Sequence, residues 1–275
     1  MRMGRMPCLL TVLSAAVCVV TFSGSAQVAF AQATRLKTVS VDVGDDVKMT
    51  LVLIPAGKFK MGSLSTEPGF QNFEGPRHEV TLTKAFYMGV YEVTQRQFEA
   101  VTGKNPSLTT KGNDHPVQWV NWFDAREFCK KLSETSGKKF RLPTEAEWEY
   151  ACRAGTETPW FFGNASNDLG FYAWYKGNSG NHIHPVGEKK PNPWGLYDIY
   201  GNVSEWTHDA AWALPYKTED TIDPTGEPVC SLKIRRGGAY LDPSEWARSG
   251  RRRHEDHTIR LPEIGFRVVM EVAEK

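Results

Sequence analysis

Two carboxylates, Asp198 and Glu205, stand seven residues apart in the stretch Trp194-Gly-Leu-Tyr-Asp-Ile-Tyr-Gly-Asn-Val-Ser-Glu-Trp206, with Asn202 between them. The stretch has no sustained helical period, and Gly195 and Gly201 interrupt any long strand. It therefore reads as tight turns pinned by aromatics, with the two acids and the amide held close together. Side-chain oxygens and loop carbonyls in one place suit a hard cation, because calcium takes six to eight oxygens at flexible geometry. A competing reading of the same residues is that Asp198 and Glu205 cap turns and pair with arginines.

The other groups able to do chemistry are scattered. His182 and His184 are spaced i, i+2, which offers two imidazoles to one face of a strand, but a zinc site needs a third ligand that the sequence does not place. The segment 243–263 is dense in arginine and contains Glu245, His254 and Glu263, candidates for proton transfer. Arginine runs of this kind, Arg251 to Arg253, more often pair with carboxylates than meet phosphate. The whole chain carries a formal charge of +1, so nothing global points to nucleic acid or an acidic membrane.

The elements that must position these groups have readable ends. Residues 47–63 read as strand, Pro-Ala-Gly turn, strand, and 80–93 as further strands on a half-buried sheet. Three helices follow. Thr94 opens a Thr-x-x-Gln capping box and Gly103 stops that helix. Asn121 caps a second, with Ala125, Phe128, Cys129 and Leu132 on one face and Gly137 at its end. Thr144 and Glu147 box a third, with Trp148, Ala151 and Cys152 as its buried stripe and Gly155 as the left-handed residue beyond it. The charged faces of all three are expected to be solvated. Residues 156–230 are mostly loop, and 232–242 and 264–272 are strand-like.

The N-terminus reads as a secretory signal. Arg2 and Arg5 precede an apolar run from Cys8 to Phe22, and Ala-x-Ala sites follow at 29–31 and 31–33. The run is too short for a confident membrane span. The expected organisation is a signal peptide over 1–31, a polar lead-in over 32–46 and one domain over 47–275, exported to the periplasm or secreted, with no transmembrane span in the mature chain. Cys8 and Cys18 leave with the signal, so Cys129, Cys152 and Cys230 remain. An odd count leaves at least one thiol without an intramolecular partner. The two helical cysteines either pair with each other or are buried thiols acting as small hydrophobes.

Seven segments carry a family resemblance in order: "IPAGKFKMGS" at 54–63, "EVTQRQF" at 92–98, "PVQWVNWFDAREFC" at 116–129, "RLPTEAEWEYACRAG" at 141–155, "GLYDIYGNVSEW" at 195–206, "RRGGAY" at 235–240 and "IGFRVV" at 264–269. Together they resemble the formylglycine-generating enzymes, or sulfatase-modifying factors, over about 45–272. The resemblance implies an α+β fold, a variant of the C-type lectin fold with little regular secondary structure and bound calcium. It places one calcium on Asp198, Glu205 and the carbonyls of Gly201 and Val203. It also implies that N- and C-terminal strands pair, and it sets the lost disulfide partners of Cys129 and Cys152 at Val268 and Ser249. The enzymes of the family oxidise a sulfatase cysteine with copper(I) on two cysteines just after the Gly-Gly motif. Soft thiolates select that ion. Residues 239–253 contain no cysteine, so copper is not expected and the enzymatic status stays open. The leading expectation is an exported, calcium-stabilised module that binds a protein or glycan through Tyr240, Asp242, Trp246, Arg248 and Arg252. A divergent maturation enzyme and, last, a sulfatase-modifying oxidase are the alternatives.

Overall fold

The protein is described by a computed structural model over residues 36–211, 216, 218–226 and 230–273. Residues 1–31, over which a signal peptide is expected, lie outside the described residues. Among the described residues no helix is long and apolar enough to cross a membrane.

The first sheet runs β1 (Thr38–Asp42), β2 (Lys48–Ile54), β5 (Phe86–Gly89), β12 (Val269–Glu271) and β6 (Phe140–Arg141), all antiparallel. Strand β3 (Gly57–Met61) pairs with β4 (His78–Leu82) and β4 with β8 (Thr221–Ile222) in a second sheet. The third sheet runs β10 (Arg252–Asp256), β9 (Leu232–Arg236), β7 (Ser204–Ala210) and β11 (Ile264–Gly265). With three α-helices beside these sheets the architecture is α+β.

Alternation along β2 explains how the first sheet is buried on both sides. Met49 and Leu51 join one apolar cluster, with Phe98, Ala125, Phe128 and Leu132 from α1 (Gln95–Thr102) and α2 (Trp122–Ser136). Val52 and Ile54 join another, with Ala146, Trp148, Tyr150 and Ala151 from α3 (Glu145–Arg153). Successive side chains on a strand point to opposite faces, so one strand serves both clusters.

The helix ends follow the sequence. Each helix opens on a reciprocal capping box, at Thr94 with Gln97, Asn121 with Asp124 and Thr144 with Glu147. Gly103 and Gly137 take the left-handed conformation after α1 and α2. After α3 that conformation begins one residue early, at Ala154, and continues through Gly155.

Three expectations need correction. The lead-in is not separate from the domain: Thr38–Asp42 is the edge strand β1, and Val41 and Val43 are in the core. Its polar residues face outward, which hid its strand character. The C-terminal strand does not pair with the N-terminal strand but with β5 and β6. The charged face of α3 is not solvated, because every residue of α3 is buried. Its acids meet arginines from other elements: Glu145 lies 3.2 Å from Arg236 Nη1 and 2.8 Å from Arg252 Nε.

Glu149 is the centre of that arrangement. It pairs with Arg153 at 2.8 Å and with Arg236, and it accepts the Gly62 N–H at 2.8 Å. Burial pushes its carboxyl up, but Arg153 and Arg236 overcome that and hold it below the usual carboxylate range. Removing it would leave two guanidinium groups buried without their shared acid. Glu149→Ala is therefore expected to lower unfolding free energy by about 3–5 kcal/mol, read from urea denaturation midpoints. A change within about 0.5 kcal/mol, the ordinary range of a surface substitution, would show that the pair is dispensable.

Candidate functional site

The 195–206 stretch turns twice with positive φ outside glycine, at Asp198 and Asn202. Asn and Asp tolerate this conformation better than other side chains, which is why they stand there. A Cβ on Gly201 would run into the Trp174 carbonyl, so only glycine fits that approach. The turns deliver Glu205 into β7 and leave Asp198 buried below Gly187, whose N–H donates to Asp198 Oδ2 at 2.7 Å.

Glu205 is held as an ion pair. Arg267 donates Nε to Oε2 and Nη2 to Oε1, both at 2.7 Å, and Trp148 donates its indole N–H to Oε2 at 2.7 Å. The arginine-pairing role is thus met at Glu205. A third buried acid, Glu92, accepts the Val203 N–H and the Asn202 amide, each at 2.9 Å. Burial first, then the charges of Asp198 and Glu205, push the Glu92 carboxyl well up. Burial likewise lifts Asp198 to about 6, against the Gly187 hydrogen bond and Arg267. Three carboxylates thus share one guanidinium.

The fit to a cation is uneven across the expected ligands. Asp198 Oδ1 is buried and has no hydrogen-bond donor, so it is an oxygen in want of a partner. Glu205 Oε2 is saturated by two donors, while Oε1 takes one. Among the described residues no three His, Cys, Asp or Glu side chains gather to hold a metal. A cation here would rest on Asp198 Oδ1, the remaining electron pair of Glu205 Oε1 and carbonyls such as those of Gly201 and Val203, a ligand set within calcium's habits.

The expected ligand surface is largely interior. Arg248 is 0% exposed; its guanidinium spans Glu67 at 3.1 Å, Glu74 at 2.9 Å and the Ser63 hydroxyl at 3.0 Å. Arg252 is buried against Glu145. Asp242 is buried, bridging Arg253 at 2.9 Å and the Ala239 N–H at 2.9 Å. Tyr240 is buried too, its N–H on the Asn202 carbonyl at 2.9 Å. Four of the five residues are thus buried, and the guanidinium groups of Arg248 and Arg252 are committed to carboxylates in the interior. Trp246 alone stays half-exposed, with the Arg251 and Arg253 guanidinium groups 4.9 and 5.1 Å from its ring.

The three proton-transfer candidates are not brought together: no hydrogen bond or ion pair joins Glu245, His254 and Glu263 among the described residues. Glu245 packs on Gly69, His254 lies opposite Ile234 on β10, and the Glu263 carbonyl accepts the Ser204 N–H at 2.8 Å. His182 and His184 do adjoin, with ring centroids 4.4 Å apart, and His184 stacks on Trp174 at 3.6 Å. The residues that sequence reasoning missed are Glu92, Trp148, Glu149 and Arg267. All lie inside the motifs "EVTQRQF", "AEWEY" and "IGFRVV", where an acid or arginine is set among apolar neighbours.

Residues 42–272 match the family model described as a sulfatase-modifying factor enzyme 1-like domain. The chain belongs to that family. It is 31% identical over 277 residues to a protein called chaperone protein LppX from Paenibacillus barcinonensis, covering 82% of this chain and 90% of that one. It is 32% identical over 257 residues to the formylglycine-generating enzyme of Bos taurus, covering 70% of this chain and 66% of the enzyme, just under two thirds of its length. Among solved structures it is similar to Treponema denticola variable protein 1, with a TM-score of 0.78 and 30% identity over 86% of this chain and 99% of that one. The C-type lectin-like architecture is consistent with these likenesses.

All three described cysteines are free. Cys129 lies in the cluster beside α1 and α2, Cys152 in the cluster beneath α3, so they do not pair with each other. Burial pushes both thiols up to about 12. Cys230 is half-buried. A thiol-reactive disulfide reagent at pH 8 is expected to label one thiol rapidly, at Cys230, and the other two only after unfolding. Rapid labelling of two or more native thiols would contradict this burial.

Proposed function

We propose that the protein is an exported, partner-binding member of the sulfatase-modifying-factor family, and that the partner is a protein seated around Trp246. The observation that carries this reading is the state of the segment after Gly237-Gly238. Its arginines and acids are largely spent on internal ion pairs, Arg251 with Glu74 and Arg253 with Asp242 among them, while Trp246 stays half-exposed with those two guanidinium groups packed beside its ring. Trp and Arg are the side chains most often responsible for binding energy at protein interfaces. The likeness to a protein called a chaperone supports the same class. The thiols favour it as well: two are buried in separate clusters, and copper(I) of the family's kind needs a pair of thiolates in one place.

Calcium is part of the proposal as a stabiliser. The ion would use the donor-free Asp198 oxygen and favour the ionised form of Asp198 and Glu92, which burial otherwise pushes toward holding their protons. At a calcium concentration about a thousand times its Kd, binding would raise the melting temperature by roughly 10 °C over chelator-treated protein. Asp198→Ala should erase that difference. Equal melting curves with calcium and with chelator would remove calcium from the proposal.

The alternative reading, a divergent maturation enzyme, would use Glu245, His254 or Glu263 for proton transfer. One set of experiments separates the readings. The binding module predicts a discrete partner recovered from envelope extract and lost with Trp246→Ala. Conversion of cysteine to formylglycine in a co-expressed sulfatase peptide, Cys-x-Pro-x-Arg, would overturn it in favour of an oxidase.

A further inference from the structure

A cleft of about 270 Å³ opens on another part of the surface, lined by Phe98, Lys104, Pro106, Leu108, Trp119, Asp124 and Arg260. Its most unusual member is Trp119. The backbone there has φ +59°, which is a genuine outlier for a bulky side chain. The conformation is held from both sides: the Trp119 N–H donates to the Leu261 carbonyl at 3.2 Å, and the Trp119 carbonyl accepts from Arg260 Nη1 at 3.2 Å. The indole N–H is buried and has no acceptor. Strain and an unpaired donor both cost free energy, and residues held this way cluster where a binding surface is built.

The surroundings indicate what the cleft would take. The floor and walls are apolar: Phe98, Pro106, Leu108 and the Trp119 ring. Leu108 is 68% exposed, and beyond the cleft Phe123 and Ile259, the chain neighbours of Asp124 and Arg260, are 46% and 38% exposed. Leu108 is the exposed large apolar side chain that lines the cleft itself. Among the described residues Arg260 is paired with Asp124, whereas Lys104 has no carboxylate within ion-pair distance. A peptide with an apolar side chain followed by a carboxylate matches both the walls and the free cation.

We infer that the Trp119 cleft is a peptide-docking site, separate from the Trp246 face, for an extended segment of another protein that presents an apolar side chain next to an acidic one. Trp119 forms the rigid wall, Leu108 the opposite lip, and Lys104 meets the acid.

The test uses the purified chain and fluorescein-labelled ten-residue Gly/Ser peptides carrying a central Leu-Glu, with Leu-Lys and Ser-Glu peptides as controls, read by anisotropy. The Leu-Glu peptide should bind saturably and each control at least about tenfold more weakly. Leu108→Glu should raise its Kd by about tenfold or more, and Lys104→Glu should reverse the preference between Leu-Glu and Leu-Lys. Trp119→Gly removes the ring while suiting the backbone, so it should keep or raise the melting temperature and still lose binding. Trp246→Ala should leave this peptide's Kd unchanged, which keeps the result distinct from failure of the Trp246 proposal. Absence of saturable binding up to about 1 mM peptide, or binding unaltered by both Leu108→Glu and Trp119→Gly, would overturn the inference.

Discussion

One guanidinium ties the interior together. Arg267 donates to both oxygens of Glu205, to the Gly89 carbonyl at 3.1 Å and to the Tyr197 carbonyl at 3.0 Å. It thereby joins the C-terminal segment, β7, the end of β5 and the first turn of the 195–206 stretch. Trp148 of α3 enters through the same acid. Loops that make few regular hydrogen bonds need some other source of fixed geometry, and a fully buried arginine supplies several donors in a rigid fork. The same logic recurs where Arg236 spans Glu145 and Glu149 and where Arg248 spans Glu67 and Glu74.

These pairs also explain where a surface can and cannot be. A guanidinium out of water must keep its carboxylates, because an unpaired buried charge is costly. The arginine-dense segment after Gly237-Gly238 therefore faces mostly inward. Trp246 stays half-exposed on it, with the ion-paired Arg251 and Arg253 beside its ring. The geometry of the 195–206 turns, in contrast, gathers three buried acids about one guanidinium, and burial pushes Glu92 and Asp198 toward holding their protons.

The local elements were legible in the sequence because local rules set them. Capping boxes at Thr94 and Thr144 and glycines at 103 and 137 are contacts within one turn, and they fell where the pattern placed them. The α+β architecture was also readable, through the family motifs. Long-range partners were not. Nothing in "EWEY" announces that Glu149 meets Arg236, 87 residues on. A helix with alternating charge looks solvated until the elements that cover it are known, and α3 is covered on every side. Likewise Arg248 and Arg252 look like surface because arginine usually is, and only the tertiary fold brings Glu74 and Glu145 to them. Strand β1 was missed because its outward positions are polar and its inward ones are few.

The placement of the thiols has a bearing on how this chain matures. Cys129 and Cys152 occupy separate apolar layers, and neither is asked to form a crosslink for the layers to close. Among the described residues the fold thus closes with its three cysteines as free thiols. Cys230, set apart from both, is the position through which a covalent bond to a second molecule could form without disturbing the interior.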